Sequence, residues 1–174
     1  GVSNGIRHEG AISTALTINN NTINVTRAQN CGSYRGIYES TGITTGGSKT
    51  VTNNSITVTS SGSASGTTNS VTGIWEQGGS SASTKNINGN TINISGSTGT
   101  DYNNGISVGN GTGTINNNTI TISNTASADI NGILANIAGA AAFTVTGNSI
   151  SLTSNATNPS NMTAISGGGT GPFQ

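Results

Sequence analysis

The sequence predicts an all-β solenoid, a coil of short strands in which each repeat forms one turn. A motif of Asn, then Ser or Thr, then Ile, any residue and an aliphatic residue occurs five times. Its central residues are Ile23, Ile56, Ile92, Ile120 and Ile150, which are 33, 36, 28 and 30 positions apart. A period near 32 residues in β-type sequence is typical of a solenoid.

The composition favours a thin, regular core over disorder. Only 6% of the 174 residues are charged, the formal net charge is zero, and aromatic residues make up 3%. Disordered chains usually combine high net charge with few β-branched residues. Here Ile, Val and Thr are frequent and recur in register. We therefore predict one β domain over residues 1–174.

A tight bend is predicted immediately before each motif. Another aliphatic residue precedes the central Ile by five positions in every copy: Ile18, Val51, Ile87, Ile115 and Val145. An odd spacing within one strand would place the two side chains on opposite faces. Both are apolar, so the chain must bend between them, at Asn and Gly residues that tolerate the left-handed conformation. The motif asparagines should stack there: Asn21, Asn54, Asn90, Asn118 and Asn148.

A recurrent Gly-Ile pair marks a further strand in each turn. It occurs at Gly5-Ile6, Gly36-Ile37, Gly73-Ile74, Gly105-Ile106 and Gly132-Ile133. We predict that each pair begins a strand and that its Ile points inward. Each turn then holds three strands, and about five to six turns of roughly 32 residues form three parallel sheets.

This pattern resembles the right-handed parallel β-helix proteins of the pectate-lyase-like superfamily over essentially the whole chain. The stacked asparagines resemble the asparagine ladder of that superfamily. The resemblance implies a right-handed coil, as does the general chirality of parallel crossovers. The Ser/Thr/Asn/Gly-rich style is similar to long secreted bacterial surface proteins. Because the superfamily includes enzymes, phage tailspikes and adhesins, the fold alone does not give the function.

The favoured function is structural: an extracellular, cell-surface module of a bacterial fibre or adhesin. Residues 1–4 are too few to cap the solenoid, and 167–174 are Gly-rich. Uncapped ends aggregate unless something covers them, so copies of the chain or neighbouring turns should meet them. Zero net charge argues against nucleic-acid binding. No apolar run approaches the roughly 20 residues of a membrane-spanning helix.

One surface patch carries a rival interpretation, a carbohydrate-binding or polysaccharide-degrading protein. Glu39 and Glu76 should stack about 5 Å apart, a separation that retaining glycosidases use. Their repulsion could be relieved by His8, by an arginine or by a bound cation such as calcium. Calcium is not otherwise indicated, and neither a cofactor, a metal site nor catalysis is predicted. The predicted ligand or subunit patch comprises Arg7, His8, Tyr38, Glu39, Trp75 and Glu76.

Two further hypotheses concern the polar surface. Asn-X-Ser/Thr sequons at Asn24, Asn93, Asn155 and Asn161 are candidate glycosylation sites. Glycans would supply solubility to a chain with little charge. The outward Ser and Thr residues of the motif strands also resemble the flat face of ice-binding solenoids, which is the second alternative function.

Overall fold

The computed structural model of the chain is an all-β solenoid of three parallel sheets, as predicted. It describes residues 2–10, 14–27, 32–40, 47–61, 70–78, 83–97, 102–125, 129–137, 142–155 and 161–169. The described residues contain sixteen strands and no helix, hence no helix able to cross a membrane. Residues 1 and 170–174, part of the two predicted uncapped ends, lie outside the described ranges.

The three sheets take successive strands of the chain in turn. The first sheet contains Ser3–His8 (β1), Tyr34–Glu39 (β4), Val71–Glu76 (β7), Tyr102–Val108 (β10), Asp129–Ile137 (β13) and Met162–Gly169 (β16). The second contains Ala15–Asn19 (β2), Ser48–Thr52 (β5), Thr84–Asn88 (β8), Thr112–Asn116 (β11) and Phe143–Thr146 (β14). The third contains Thr22–Arg27 (β3), Ser55–Ser61 (β6), Thr91–Ser97 (β9), Thr119–Asn124 (β12) and Ser149–Ser154 (β15).

Equivalent residues of successive turns are register partners, so each core position forms a column along the axis. Ile37 pairs with Ile74, and Ile74 with Ile106. Ile56, Ile92 and Ile120 form a second column, and both columns are fully buried in the middle turns. The predicted interior columns are therefore confirmed. Each turn contributes few apolar groups, so stability is a sum over neighbouring turns.

The predicted bend between the second and third sheets is also confirmed. Its middle residue adopts the left-handed conformation, with φ of 55° at Asn20 and 54° at Asn53 and Asn117. Glycine takes this position in the other two turns, with φ of 66° at Gly89 and 64° at Gly147. Asn and Gly are the residues that adopt this conformation at least cost.

The Gly-Ile pairs lie within the first-sheet strands, so the prediction that they begin strands is wrong. The glycine is required because its strand passes directly over the central Ile of the third sheet. A Cβ on Gly73 would lie 2.5 Å from Cγ2 of Ile92 and 2.7 Å from the carbonyl oxygen of Gly105. The repeated glycine is thus explained by close packing between sheets.

Candidate functional site

The motif asparagines form a hydrogen-bonded ladder along the bends. In each step the Oδ1 atom of one Asn accepts two hydrogen bonds from the Asn one turn earlier. For Asn54 and Asn90 the backbone N–H and the Nδ2 group of Asn54 both donate to Oδ1 of Asn90, at 3.0 Å. The same pair of bonds joins Asn21 to Asn54, Asn90 to Asn118, and Asn118 to Asn148.

The ladder is directional because every step runs from donor to acceptor toward the C-terminal end. Its two ends therefore differ. Oδ1 of Asn21 accepts no hydrogen bond from the described residues, and the backbone N–H of Asn148 has no acceptor among them. One end of the ladder offers an acceptor and the other offers a donor.

The six residues of the predicted patch divide between two faces of the first sheet. Arg7, Tyr38 and Trp75 are register partners on the outer face. His8, Glu39 and Glu76 form the next column, and the alternation of the strand turns this column inward. Glu39 and Glu76 are each only 1% exposed. The expectation that both glutamates belong to a surface patch is therefore wrong.

Two buried lysines of the second sheet neutralise the glutamates. Lys49 Nζ contacts the carboxylate of Glu39 and lies 2.7 Å from Oε1 of Glu76. Lys85 Nζ lies 2.5 Å from Oε2 of Glu76, off the hydrogen-bond direction, and forms an ion pair. At the N-terminal end, His8 Nδ1 lies 3.3 Å from Oε1 of Glu39. We call these five residues the ion column.

The lysines escaped the sequence analysis, although a signal for them exists. Lys49 and Lys85 stand two positions before Val51 and Ile87, which are inward-facing aliphatic residues. Residues two apart in a strand share a face, so both lysines must also point inward. Their pairing with Glu39 and Glu76 then follows because buried charges need partners.

Burial favours the neutral forms of two members of the ion column, Glu76 and Lys85. Desolvation raises the pKa of Glu76 above its ordinary 4.5, although Lys85 and Lys49 act in the opposite sense. Desolvation likewise lowers the pKa of Lys85 from its ordinary 10.5, against the attraction of Glu76. The carboxylates are closed off from solvent and bonded to lysine. The ion column is therefore a structural element, and it gives no support to a glycosidase mechanism.

The outer face of the first sheet carries aromatic residues and a groove. The Arg35 guanidinium carbon lies 4.3 Å from the centre of the Tyr38 ring and 4.1 Å from that of Trp75. Next to Trp75, over turns three to five, is an open groove of about 350 Å³. Tyr102 and Leu134 also line it. We call this the Trp75 groove.

The candidate glycosylation sites and the polar face lie on the surface. Asn24, Asn155 and Asn161 are exposed and Asn93 is half-buried. Asn24 and Asn93 belong to the third sheet, whose outer face consists of three uncharged files in register. These files are Thr22, Ser55, Thr91, Thr119, Ser149; Asn24, Thr57, Asn93, Thr121, Ser151; and Thr26, Thr59, Ser95, Ser123, Thr153.

Comparisons with protein-family models, with curated proteins and with solved structures gave no match to this chain.

Proposed function

We propose that this chain is a structural module of an extracellular bacterial fibre or adhesin, a neutral β-solenoid rod of the pectate-lyase-like type. Its terminal turns are covered by further turns of the same kind, from neighbouring coils or from another copy. The observation that carries this proposal is the exposure of the core columns at both ends.

The core columns are buried in the middle of the rod and open at its ends. Ile74 and Ile106 are 0% exposed, whereas Ile165 of the same column, on β16, is 41% exposed. At the opposite end Ile6, Leu16 and Val25 are only partly buried. Apolar side chains beside unpaired strand edges favour the addition of further strands.

The two ends are complementary in hydrogen bonding. The free donor at Asn148 and the free acceptor at Asn21 match when turns stack head to tail. Two identical ends would place donor against donor or acceptor against acceptor. The proposed assembly is therefore polar, and a heterologous contact of this kind generates open filaments.

The C-terminal end is also stepped. The first sheet has six strands and the other two have five, so β16 projects one turn beyond β14 and β15. A strand, an Asn bend and a second strand, as in every turn of this chain, would fill that step. Neighbouring coils supply such a unit directly, whereas a second copy must first displace its own β1.

The sparsely charged surface supports an extracellular location and solubilisation by glycans. Charged residues are 6% of the chain, and five of them are buried: Arg27, Glu39, Glu76, Lys49 and Lys85. Three of the candidate sequons, at Asn24, Asn155 and Asn161, are exposed. Sugar at these sites would provide the hydration that the side chains lack.

Sedimentation and electron microscopy of the chain at increasing concentration test the proposal. We expect end-to-end filaments, which a lysine at Val25 or at Leu152 should abolish by placing a charge in an end column. Thr121→Lys, on the outer face of the third sheet, is the matched control and should assemble normally. Monomers at millimolar concentration would contradict the proposal.

A further inference from the structure

We infer that the Trp75 groove binds a neutral carbohydrate without acting on it chemically. This function is independent of the proposed stacking, because the groove lies on the side of the rod and the stacking contacts lie at its ends. Its volume of about 350 Å³ is at the lower end of the range for small-molecule sites.

The apolar part of the groove comprises Trp75 with Tyr102 and Leu134. These residues come from three consecutive first-sheet strands, β7, β10 and β13. Trp75 and Leu134 lie in one register column with Ser107 between them, so they are about 10 Å apart along the axis. Tyr102 precedes Ser107 by five residues on β10 and therefore lies on the other side of the groove, along the strand direction. Tyr102 is 54% exposed and therefore open to a ligand. Aromatic rings with one wet side are typical contact surfaces for binding partners.

Trp75 is held in place before any ligand arrives. Arg35 stacks on one face of its ring and on the neighbouring Tyr38, so the three side chains form a layered cluster. Such cation–π contacts contribute about 0.5–1 kcal/mol at exposed sites and more when desolvated. A ring fixed in this way loses little conformational entropy on binding.

The polar part of the groove offers uncharged hydrogen-bonding groups. Gln77 Nε2 donates to Ser107 Oγ at 2.9 Å, which leaves the Gln77 carbonyl as an acceptor for a ligand, while Ser107 is only 2% exposed and holds Gln77 in place. Asn136, which lines the groove, provides an exposed amide. Aromatic and aliphatic walls flanked by amides match a sugar ring, with its apolar C–H face and its rim of hydroxyls.

The absence of charge from the lining selects the ligand class. The described residues that line the groove include neither a carboxylate nor a lysine or arginine. The lining offers no counter-charge to an acidic polysaccharide, because the nearby Arg35 is outside the lining and its guanidinium stacks on Trp75 and Tyr38. A cationic ligand would find no carboxylate in the lining. Glu39 and Glu76 are buried on the other side of the sheet, so the groove has no acid–base pair for cleavage.

Intrinsic fluorescence tests this inference, because Trp75 is the single tryptophan of the chain. The probes are neutral gluco-, manno-, galacto- and xylo-hexasaccharides, with a hexamer of galacturonate as the acidic control. We expect a saturable change in Trp75 emission with at least one neutral probe and none with galacturonate. Tyr102→Ala should weaken binding about three- to tenfold, from the size of an aromatic contact. The matched control Thr121→Ala, on the third sheet, should leave the affinity unchanged.

Three results would overturn the inference. The first is the lack of a saturable response to any neutral probe up to 10 mM, roughly the weakest affinity of interest. The second is binding of galacturonate alone. The third is binding that persists in the double variant Tyr102→Ala/Leu134→Asp. Because Tyr102 and Leu134 lie on the outer face, circular dichroism of both variants should match the parent chain. Filament formation by the same samples is measured separately, so failure of either proposal is recognised by itself.

Discussion

Two regions of the solenoid fill the same pair of core columns with opposite chemistry. In turns two and three the facing positions of the first and second sheets hold charged residues, and in turns four and five they hold small or apolar ones. The charged pairs are Glu39 with Lys49 and Glu76 with Lys85; the later pairs are Val108 with Gly113 and Ala135 with Phe143.

The difference between the two regions shows which core residues the solenoid fold needs and which are particular to one turn. The strand register continues through both regions, although Gly113, with φ of 148°, departs from the backbone of its partner Lys85. The sheets therefore form with or without charges in these columns. Buried ion pairs contribute little net stability, because desolvation offsets their attraction. They do penalise errors: a turn stacked out of order would leave Lys49 or Lys85 buried without a glutamate within reach. We therefore infer that the ion column fixes the order in which the turns stack.

The largest expected effect comes from removing one charge of the ion column. Glu76→Leu leaves Lys85 buried without its counter-charge, which should lower the free energy of unfolding by about 3–5 kcal/mol. Urea denaturation measures this. Adding Lys85→Met to the same variant should recover most of the loss, since Lys49 keeps Glu39 as a partner. A loss below about 1 kcal/mol for Glu76→Leu would refute the structural role of the column.

Phe143→Ala is the counterpart of that change in the apolar region. The loss should be about 3–5 kcal/mol, but it arises from a cavity. No second substitution at a charged residue should restore it. Rescue of Phe143→Ala by Lys85→Met would show that the two regions are not distinct in the way described.

The next effect concerns a feature that both regions share. Gly73→Ala and Gly105→Ala each place a Cβ 2.5 Å from the Cγ2 atom of an isoleucine, Ile92 and Ile120 respectively. Each should cost about 1–3 kcal/mol by overpacking, as thermal unfolding would show. Gly10→Ala is the control, since its nearest contact would be 3.4 Å away at His8. Unequal losses of stability for Gly73→Ala and Gly105→Ala would mean that the first sheet packs differently in the two regions.

A smaller effect of opposite sign is expected in the apolar region. Asn103 is fully buried between Val71 and Ile130, and neither its Oδ1 nor its Nδ2 atom has a hydrogen-bond partner among the described residues. Asn103→Val should raise the free energy of unfolding by about 1 kcal/mol, because an unsatisfied amide is removed. Asn54→Val, which breaks the ladder, is the contrasting variant and should destabilise. A lower free energy of unfolding for Asn103→Val would indicate that the buried amide stabilises the fold.

The smallest effect is the pH dependence of the charged region. The folded chain holds the Glu76 proton more tightly than the unfolded chain, because its pKa is raised above 4.5. The unfolding free energy should therefore fall as pH rises from 4.5 through the folded pKa. Urea denaturation of the parent chain and of Glu76→Leu/Lys85→Met measures the difference. An identical pH profile for both would contradict this contribution.

Most of the fold could be predicted from the sequence, because the spacing of Ile, Gly and Asn encodes it directly. The ion column could also have been predicted, since Lys49 shares its strand face with Val51. The Trp75 groove could not have been predicted. Its lining residues Tyr102, Leu134 and Asn136 belong to two neighbouring turns, and Tyr102 and Asn136 fall outside the repeated motifs, so only the stacking of β10 on β13 brings them together.

If the ends of this rod accept further turns, the chain should accommodate an added turn at its C-terminal end. A copy of residues 109–124, joined after Gly167, would place new strands beside β14 and β15 and an acceptor beside Asn148. We predict higher stability, and filament formation at a lower protein concentration, because the extended end is level and can receive β1 of a second copy directly. The control is the same extension with Asp in place of the copy of Ile120. It should be no more stable than the parent chain. Equal stability of the parent chain and the extended chain, with no change in assembly, would contradict the account.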